Sequence, residues 1–315
     1  MRNTSKLSRC RRLFFALLVL VSTGTSGRVD AELPPQELLL RRDVAVADGT
    51  HLQNLMQVST SIYSGSEPVS DKDFAELAKL GVRVVLSVDG AVPKVAEAHR
   101  HGLRYVHVPF GYDGIPEEAR LAILRATQEA EGPIYVHCHH GKHRGPAAAG
   151  IAAVATKCAT KETVRKVLEL GGTNPHYAGL WRDVQAFELP DDNVELPKLM
   201  EVADVDSIVH VMARMSRATE ELEGLLAKNP ELSNATATSV AEQSLLLKEE
   251  FRETVRLRLG KRDEKFQNLM RSAAHLAERV DSALQNEKPV EAITREFNLL
   301  KAECLRCHEL YRDNL

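Results

Sequence analysis

Apolar positions follow two regimes along this chain. Between residues 52 and 190, short apolar or β-branched runs alternate with stretches patterned every three to four positions. The run over 52–63 carries a weak strand signal. Gly65-Ser66-Glu67-Pro68 reads as a turn, and Ser70-Asp71-Lys72-Asp73 caps a helix that Gly81 stops. Strands are expected over 82–88, 103–108 and 134–136. Helices are expected over 94–101, 117–130, 146–155 and 160–170, the last ended by Gly171-Gly172. Residues 177–187, with Trp181, the only tryptophan, close the segment. This alternation predicts an α/β domain over 52–190 with a largely parallel sheet, whose sites lie at the carboxyl ends of its strands.

From residue 199 no strand signal recurs. Helical patterns cover 206–227, 239–259 and 263–285, with stops at Asn229-Pro230 and Gly260. Pro289 opens a last helix that runs to about Tyr311. In the third helix Phe266, Leu269, Ala273, Leu276, Val280 and Leu284 share one face. Four amphipathic helices on short loops predict an all-α antiparallel four-helix bundle over 199–315. Residues 32–51 and 191–198 read as linkers, the second opened by Pro190-Asp191-Asp192-Asn193.

The chain has 315 residues, 43% hydrophobic and 27% charged, which fits a globular protein of two domains. A formal net charge of -3 gives no reason to expect a nucleic-acid partner. Residues 1–31 are expected to be a signal peptide. Lys6, Arg9, Arg11 and Arg12 precede an apolar run over 13–21 that is too short to span a bilayer, and Val29-Asp30-Ala31 offers a cleavage site. The competing reading is an uncleaved anchor. The signal implies an exported, periplasmic protein with no membrane attachment after cleavage.

The chemistry concentrates first in Val136-His137-Cys138-His139-His140-Gly141-Lys142-His143-Arg144-Gly145, between an apolar strand and an Ala/Gly-rich helix. A strand-to-helix turn aims consecutive backbone N–H groups at one point, and the helix dipole adds positive charge there. Such a cradle activates a cysteine at its base and holds a tetrahedral dianion above it. An arginine one turn on can fork across two phosphate oxygens. The five intervening positions therefore point to phosphate binding through His139, His140, Gly141, Lys142, His143 and Arg144. A metal-binding tract of His137, Cys138, His139, His140 and His143 is the alternative, but it leaves Gly141 and Arg144 unexplained.

His-Cys-x5-Arg resembles the signature loop of the cysteine-based protein tyrosine and dual-specificity phosphatases. The resemblance spans about residues 52–187 by element order and is close in the loop alone. It implies a phosphorylated substrate, Cys138 as nucleophile, Arg144 as phosphate clamp, and a general acid on a loop after a strand. Asp113, in Phe110-Gly111-Tyr112-Asp113-Gly114, is the candidate acid, and Asp89, in a second Asp-Gly turn, is the runner-up. The family carries Ser or Thr after the arginine, where its hydroxyl helps the thiolate leave the phosphoenzyme. Gly145 stands there in this chain. A phosphatase-like domain that only docks an anionic or phosphorylated partner is the competing function.

The second motif is Cys304-Leu305-Arg306-Cys307-His308, the Cys-x-x-Cys-His pattern of c-type haem attachment. Two thiols one turn apart can bond both haem vinyl groups, and the next histidine can face the iron. A redox dithiol would call for a βαβ context instead. The placement in the last of four helices, followed by Glu309-Leu310-Tyr311-Arg312, resembles the cytochrome c′ family. That resemblance covers about 199–315 and is specific in the final segment. It implies one covalent haem c on Cys304 and Cys307, with His308 as proximal ligand. The opposite axial position falls to the first helix. Met212 is preferred there over Met215, Met200 and His210, and the family also has members with an apolar residue at that place. Electron transfer or gas binding, with a redox partner, would follow.

Overall fold

The computed structural model describes residues 37–191, 193–204, 208–228, 234–260 and 262–311. The expected signal at 1–31, Asn229-Pro230 and Arg312 lie outside the described residues. None of the described helices is long and apolar enough to cross a membrane.

The α/β portion holds five strands: β1 (Met56–Ser59), β2 (Ile62–Ser66), β3 (Val84–Ser87), β4 (Arg104–His107) and β5 (Ile134–Cys138). Their order is β1-β2-β5-β3-β4, and every pair is parallel except the hairpin β1–β2. The weak strand signal over 52–63 thus resolves into a hairpin. Gly65 and Ser66, read as part of a turn, continue β2 to pair in register with His137 and Cys138.

Side-chain alternation splits the core into two layers. Ile134, Val136 and Cys138 join Ile62, Leu86 and Val106 on one face, with Tyr135 on the other beside Tyr63, Val85 and Tyr105. The second face is covered by α1 (Asp71–Lys79) and α2 (Val95–Arg100), through Phe74, Leu77 and Ala98. Ser70 caps α1 as its sequence implies: its side chain accepts from the Asp73 N–H, and Asp73 answers at the Ser70 N–H. The first face takes α3 (Glu117–Gln128), α4 (Arg144–Ala155), α5 (Arg165–Gly171) and α6 (Ala178–Gln185). The small residues of α4, Ala147, Ala148, Ala149, Gly150 and Ala152, let that helix lie close on β2 and β5.

The segments read as linkers are held against this sheet. Leu38 and Leu40 pack on the first core, and Arg41 pairs with Gln57 of β1. Beyond Pro190 the His107 N–H of β4 donates to the Met200 carbonyl at 2.8 Å, and Arg125 donates to the carbonyls of Leu196 and Pro197.

The C-terminal region is helical: α7 (Ile208–Lys228), α8 (Asn234–Arg258), α9 (Glu264–Gln285) and α10 (Val290–Tyr311). Each packs on its neighbour in sequence, around Val211, Met215, Leu222, Phe251, Phe266 and Phe297. Leu245 of α8 belongs instead to the core of the α/β portion.

Candidate functional site

The loop from Cys138 to Arg144 joins the carboxyl end of β5 to the first turn of α4. Its backbone is held from outside. The carbonyl of His139 accepts from the Glu67 N–H, that of His140 from Asn54 Nδ2, and that of Lys142 from Thr173 Oγ1. A trans peptide points its N–H away from its C=O. The N–H groups of His140, Gly141 and His143 are therefore turned towards the inside of the loop. Gly141 has φ +69°, and a Cβ there would collide with the carbonyl group of Gly65. The end of β2 thus forms the floor beneath the loop, which is why the Gly65-Ser66 stretch is strand and not turn.

Cys138 lies at the base, 4% exposed. A Cβ added to Gly145 would stand 3.5 Å from Cys138 Sγ and 3.2 Å from its backbone N. The thiol therefore sits directly over the first turn of α4, where the helix dipole is most positive.

The histidines do not converge on one point. His137 faces the opposite side of the sheet, where it bonds the Tyr105 hydroxyl at 2.7 Å and stacks on Tyr135. Burial pushes its pKa down to about 4. His143 turns towards Tyr112 and Tyr177, and burial, aided by Lys142 and Arg144, also brings it down to about 4. Both rings are therefore neutral at physiological pH. His139 instead pairs with Glu67 at 3.3 Å, a hydrogen bond that holds the Glu67 carboxyl below its ordinary value. Among the described residues the one group arranged like metal ligands is Glu67, Asp89 and His139, which excludes Cys138.

Arg144 is 3% exposed and makes its bonds within the protein. Its guanidinium donates to the Phe110 carbonyl at 3.2 Å and the Tyr112 hydroxyl at 3.0 Å. Glu253 of α8 lies 3.3 Å away and Asp89 4.0 Å away. Burial opposes its charge, but these partners outweigh burial and hold it firmly protonated. Asp89 is buried and also receives Arg256 of α8 at 2.6 Å, and the two arginines keep it ionised despite burial. Arg256 bonds Glu253 as well, at 2.9 Å. The helical region thus closes over the loop through a network of two arginines and two carboxylates.

Asp113 is placed differently. It is exposed and lines a cavity of about 300 Å³ with His176, Arg182, Arg214 and Glu250. The cavity beside Arg144, about 80 Å³, is walled by Gly90, Phe110, Tyr112, Glu250 and Glu253, without Asp113. The structure therefore brings Asp89, the runner-up, to the arginine. Its depressed pKa suits a fixed negative charge and not a proton donor. Glu253, Arg256 and Tyr112 were not anticipated. The charges of Lys248-Glu249-Glu250-Phe251-Arg252-Glu253 are dense, but by themselves they read as a solvated helix face.

No family model matches the chain, and no curated protein sequence does. Solved structures similar to part of it include TpbA of P. aeruginosa, 24% identical with a TM-score of 0.38, covering 46% of this chain and 89% of that one. A putative phosphatase of Shewanella putrefaciens is 21% identical with a TM-score of 0.35, covering 43% and 90%. The core catalytic domain of a PP-IP phosphatase from S. cerevisiae, solved with citrate, is 19% identical with a TM-score of 0.37, covering 45% and 88%.

The second motif lines a cavity of about 150 Å³ with Met212, Met215, Phe251, Leu269, Cys304, Cys307 and His308 among its walls. Both cysteines are free, and burial pushes Cys304 up to about 11 and raises Cys307 as well. α7 and α10 face each other across this cavity and are joined by the ion pair of Lys301 and Glu223. Met200 lies on the strap along β4, exposed and away from this cavity. The side chain of His210 lies outside the described residues.

Proposed function

We propose that this chain is a cysteine-dependent phosphate-monoester phosphatase joined to a c-type haem domain. The observation that carries the first half is the loop itself: the carbonyls of His139, His140 and Lys142 are bonded by Glu67, Asn54 and Thr173 from outside it, and a charged arginine buried beside it has drawn a carboxylate, Glu253, onto its guanidinium. A site that recruits a carboxylate there has the charge and donors to hold a phosphate.

The Cys138 thiolate attacks phosphorus, forming an S–P bond as the P–O ester bond breaks. The departing oxygen takes a proton, for which Asp113 is the candidate once its loop closes on the substrate. Water then attacks phosphorus, the P–S bond breaks with its electron pair returning to sulfur, and phosphate leaves. Arg144 and the loop N–H groups neutralise the equatorial oxygens throughout. The substrate's phosphate must first displace Glu253.

The residues of the helical region suit a covalent haem. Two free thiols one helical turn apart share an apolar cavity with a histidine and, across it, two methionines. Cys304 and Cys307 would hold the group, His308 would face the iron, and Met212 or Met215 would stand opposite. Such a group would supply one-electron or gas-binding chemistry. This reading makes the helical region an antiparallel four-helix bundle of cytochrome c′ type, and it carries the expectation of export, since covalent haem is attached outside the cytoplasm.

Two measurements test the reading. Purified holoprotein should release phosphate from p-nitrophenyl phosphate, and Cys138→Ser should not. Equal rates for the two would sink the phosphatase. The pigment should stay with the protein through acid–acetone extraction, and its loss into the organic phase would sink the covalent haem. The second reading, a haem protein whose α/β portion only docks an anionic partner, is favoured by one observation: Arg144 is sealed under α8.

A further inference from the structure

The position after the arginine lacks a hydroxyl, yet a hydroxyl stands beside the thiol from another element. Ser64, on β2, is fully buried, and its Oγ has no hydrogen-bond partner. A Cβ built on Gly145 would lie 3.4 Å from that oxygen and 3.5 Å from Cys138 Sγ, so both atoms flank the same small space. The register explains the meeting. β2 runs parallel to β5 with Ser64 opposite Val136 and Ser66 opposite Cys138. Ser64 therefore sits two residues below the thiol, facing α4 as Ile62 and Val136 do. The Ser66 hydroxyl is otherwise engaged, accepting from the Gln53 N–H and donating to the His51 carbonyl.

An orphaned buried hydroxyl is a cost that a fold does not keep without return. We propose that the Ser64 hydroxyl donates to the Cys138 sulfur and stabilises the thiolate as it leaves phosphorus, a catalytic role supplied from β2 because Gly145 cannot supply it. This rests on the phosphatase reading for its consequence, but the placing of both atoms about the same space beside Gly145 does not. When water attacks the phosphocysteine and the P–S bond breaks, the electron pair returns to sulfur and meets the O–H of Ser64. No proton is transferred from the serine, and the bond merely shortens as charge grows.

The test is Ser64→Ala, with the double variant Ser64→Ala/Gly145→Ser as rescue. Alanine keeps the Cβ and removes only the hydroxyl, so the fold should hold, as unchanged thermal unfolding would verify. With p-nitrophenyl phosphate under rapid mixing, Ser64→Ala should give a burst of about one nitrophenol per protein. Its steady rate should fall by about tenfold to a hundredfold, the worth of one hydrogen bond to a charged group. The burst rate should change little, and the double variant should recover most of the steady rate. Separately, iodoacetamide should alkylate Cys138 more slowly in Ser64→Ala at pH 7, and the double variant should reverse this. Alkylation that responds as stated while the wild-type protein hydrolyses nothing would sink the phosphatase reading and leave the contact standing. Unchanged alkylation, or a steady rate within twofold of wild type, would overturn the role of Ser64.

Discussion

Glu253 is where the two halves of the chain meet most directly, and replacing it gives a sharp test. Its carboxylate lies 3.3 Å from the Arg144 guanidinium, and the side chains are 19% and 3% exposed. At that distance and an effective dielectric of about 20, the gross attraction is about 5 kcal/mol. The net cost of withdrawing Glu253 is far smaller. Arg256 keeps hold of it, Asp89 still faces Arg144, and an incoming phosphate replaces the lost charge. A charge-assisted bond exchanged for another of the same kind leaves about 1–2 kcal/mol, or roughly tenfold in affinity.

Glu253→Gln should therefore bind vanadate or inorganic phosphate about tenfold more tightly than the wild-type chain. The same variant should lose stability in the absence of anion, because it leaves a buried arginine less well paired. Saturating phosphate should then restore about 1.4 kcal/mol more in the variant than in the wild type. Vanadate protection of Cys138 from alkylation measures the affinity, and denaturant unfolding with and without phosphate measures the stability. Equal or weaker vanadate binding in Glu253→Gln would refute the view that Glu253 occupies the anion's place.

Three further outcomes are expected. His137 is buried with its pKa lowered to about 4 from 6.5, so its contribution is complete above pH 6.5 and lost as pH falls from there to 4. The loss is on the order of 3 kcal/mol, and His137→Gln should remove that much of the difference in unfolding free energy between pH 7 and pH 4; an unchanged difference counts against it. Asp113→Asn should slow hydrolysis of alkyl phosphates by about a hundredfold or more and of p-nitrophenyl phosphate far less. Equal effects on both leaving groups would remove Asp113 as the acid. Vanadate affinity should differ between ferric, ferrous and ferrous–CO protein by about tenfold at most, and three equal values would rule out coupling between the haem and the loop.

Much of the α/β portion was legible because its signals are local. Ser70 and Asp73 cap α1 through bonds three residues apart, and β3, β4 and β5 are short apolar runs bounded by turns. The loop was legible because its residues are consecutive. The β1–β2 hairpin was not, since Gly65 reads as a turn until the chain folds. Its missing side chain is required by the Tyr135 hydroxyl, which arrives from far along the sequence. The closing network was not legible for the same reason. Glu253 and Arg256 look like a solvated helix face, and nothing within α8 says that Arg144 and Asp89 will stand opposite. Ser64 was hidden likewise, one polar residue in a strand whose neighbour across the sheet is fixed by register.

The helix that seals the loop also walls the second cavity. Phe251 faces Met212, Met215 and Cys304, while Glu253, two residues on and about 200° around the helix, faces Arg144. Leu245 is buried in the core of the α/β portion and Leu247 in that of the helical region. A close-packed helix with both faces engaged cannot shift for one neighbour and stay still for the other. A ligand of the proposed haem that prefers one setting of α8 would change phosphate affinity by the ratio of its own two affinities, and phosphate would change that ligand's affinity by the same factor. Arg256, bonded at once to Asp89 just past β3 and to Glu253 of its own helix, ties α8 to the α/β portion at this point.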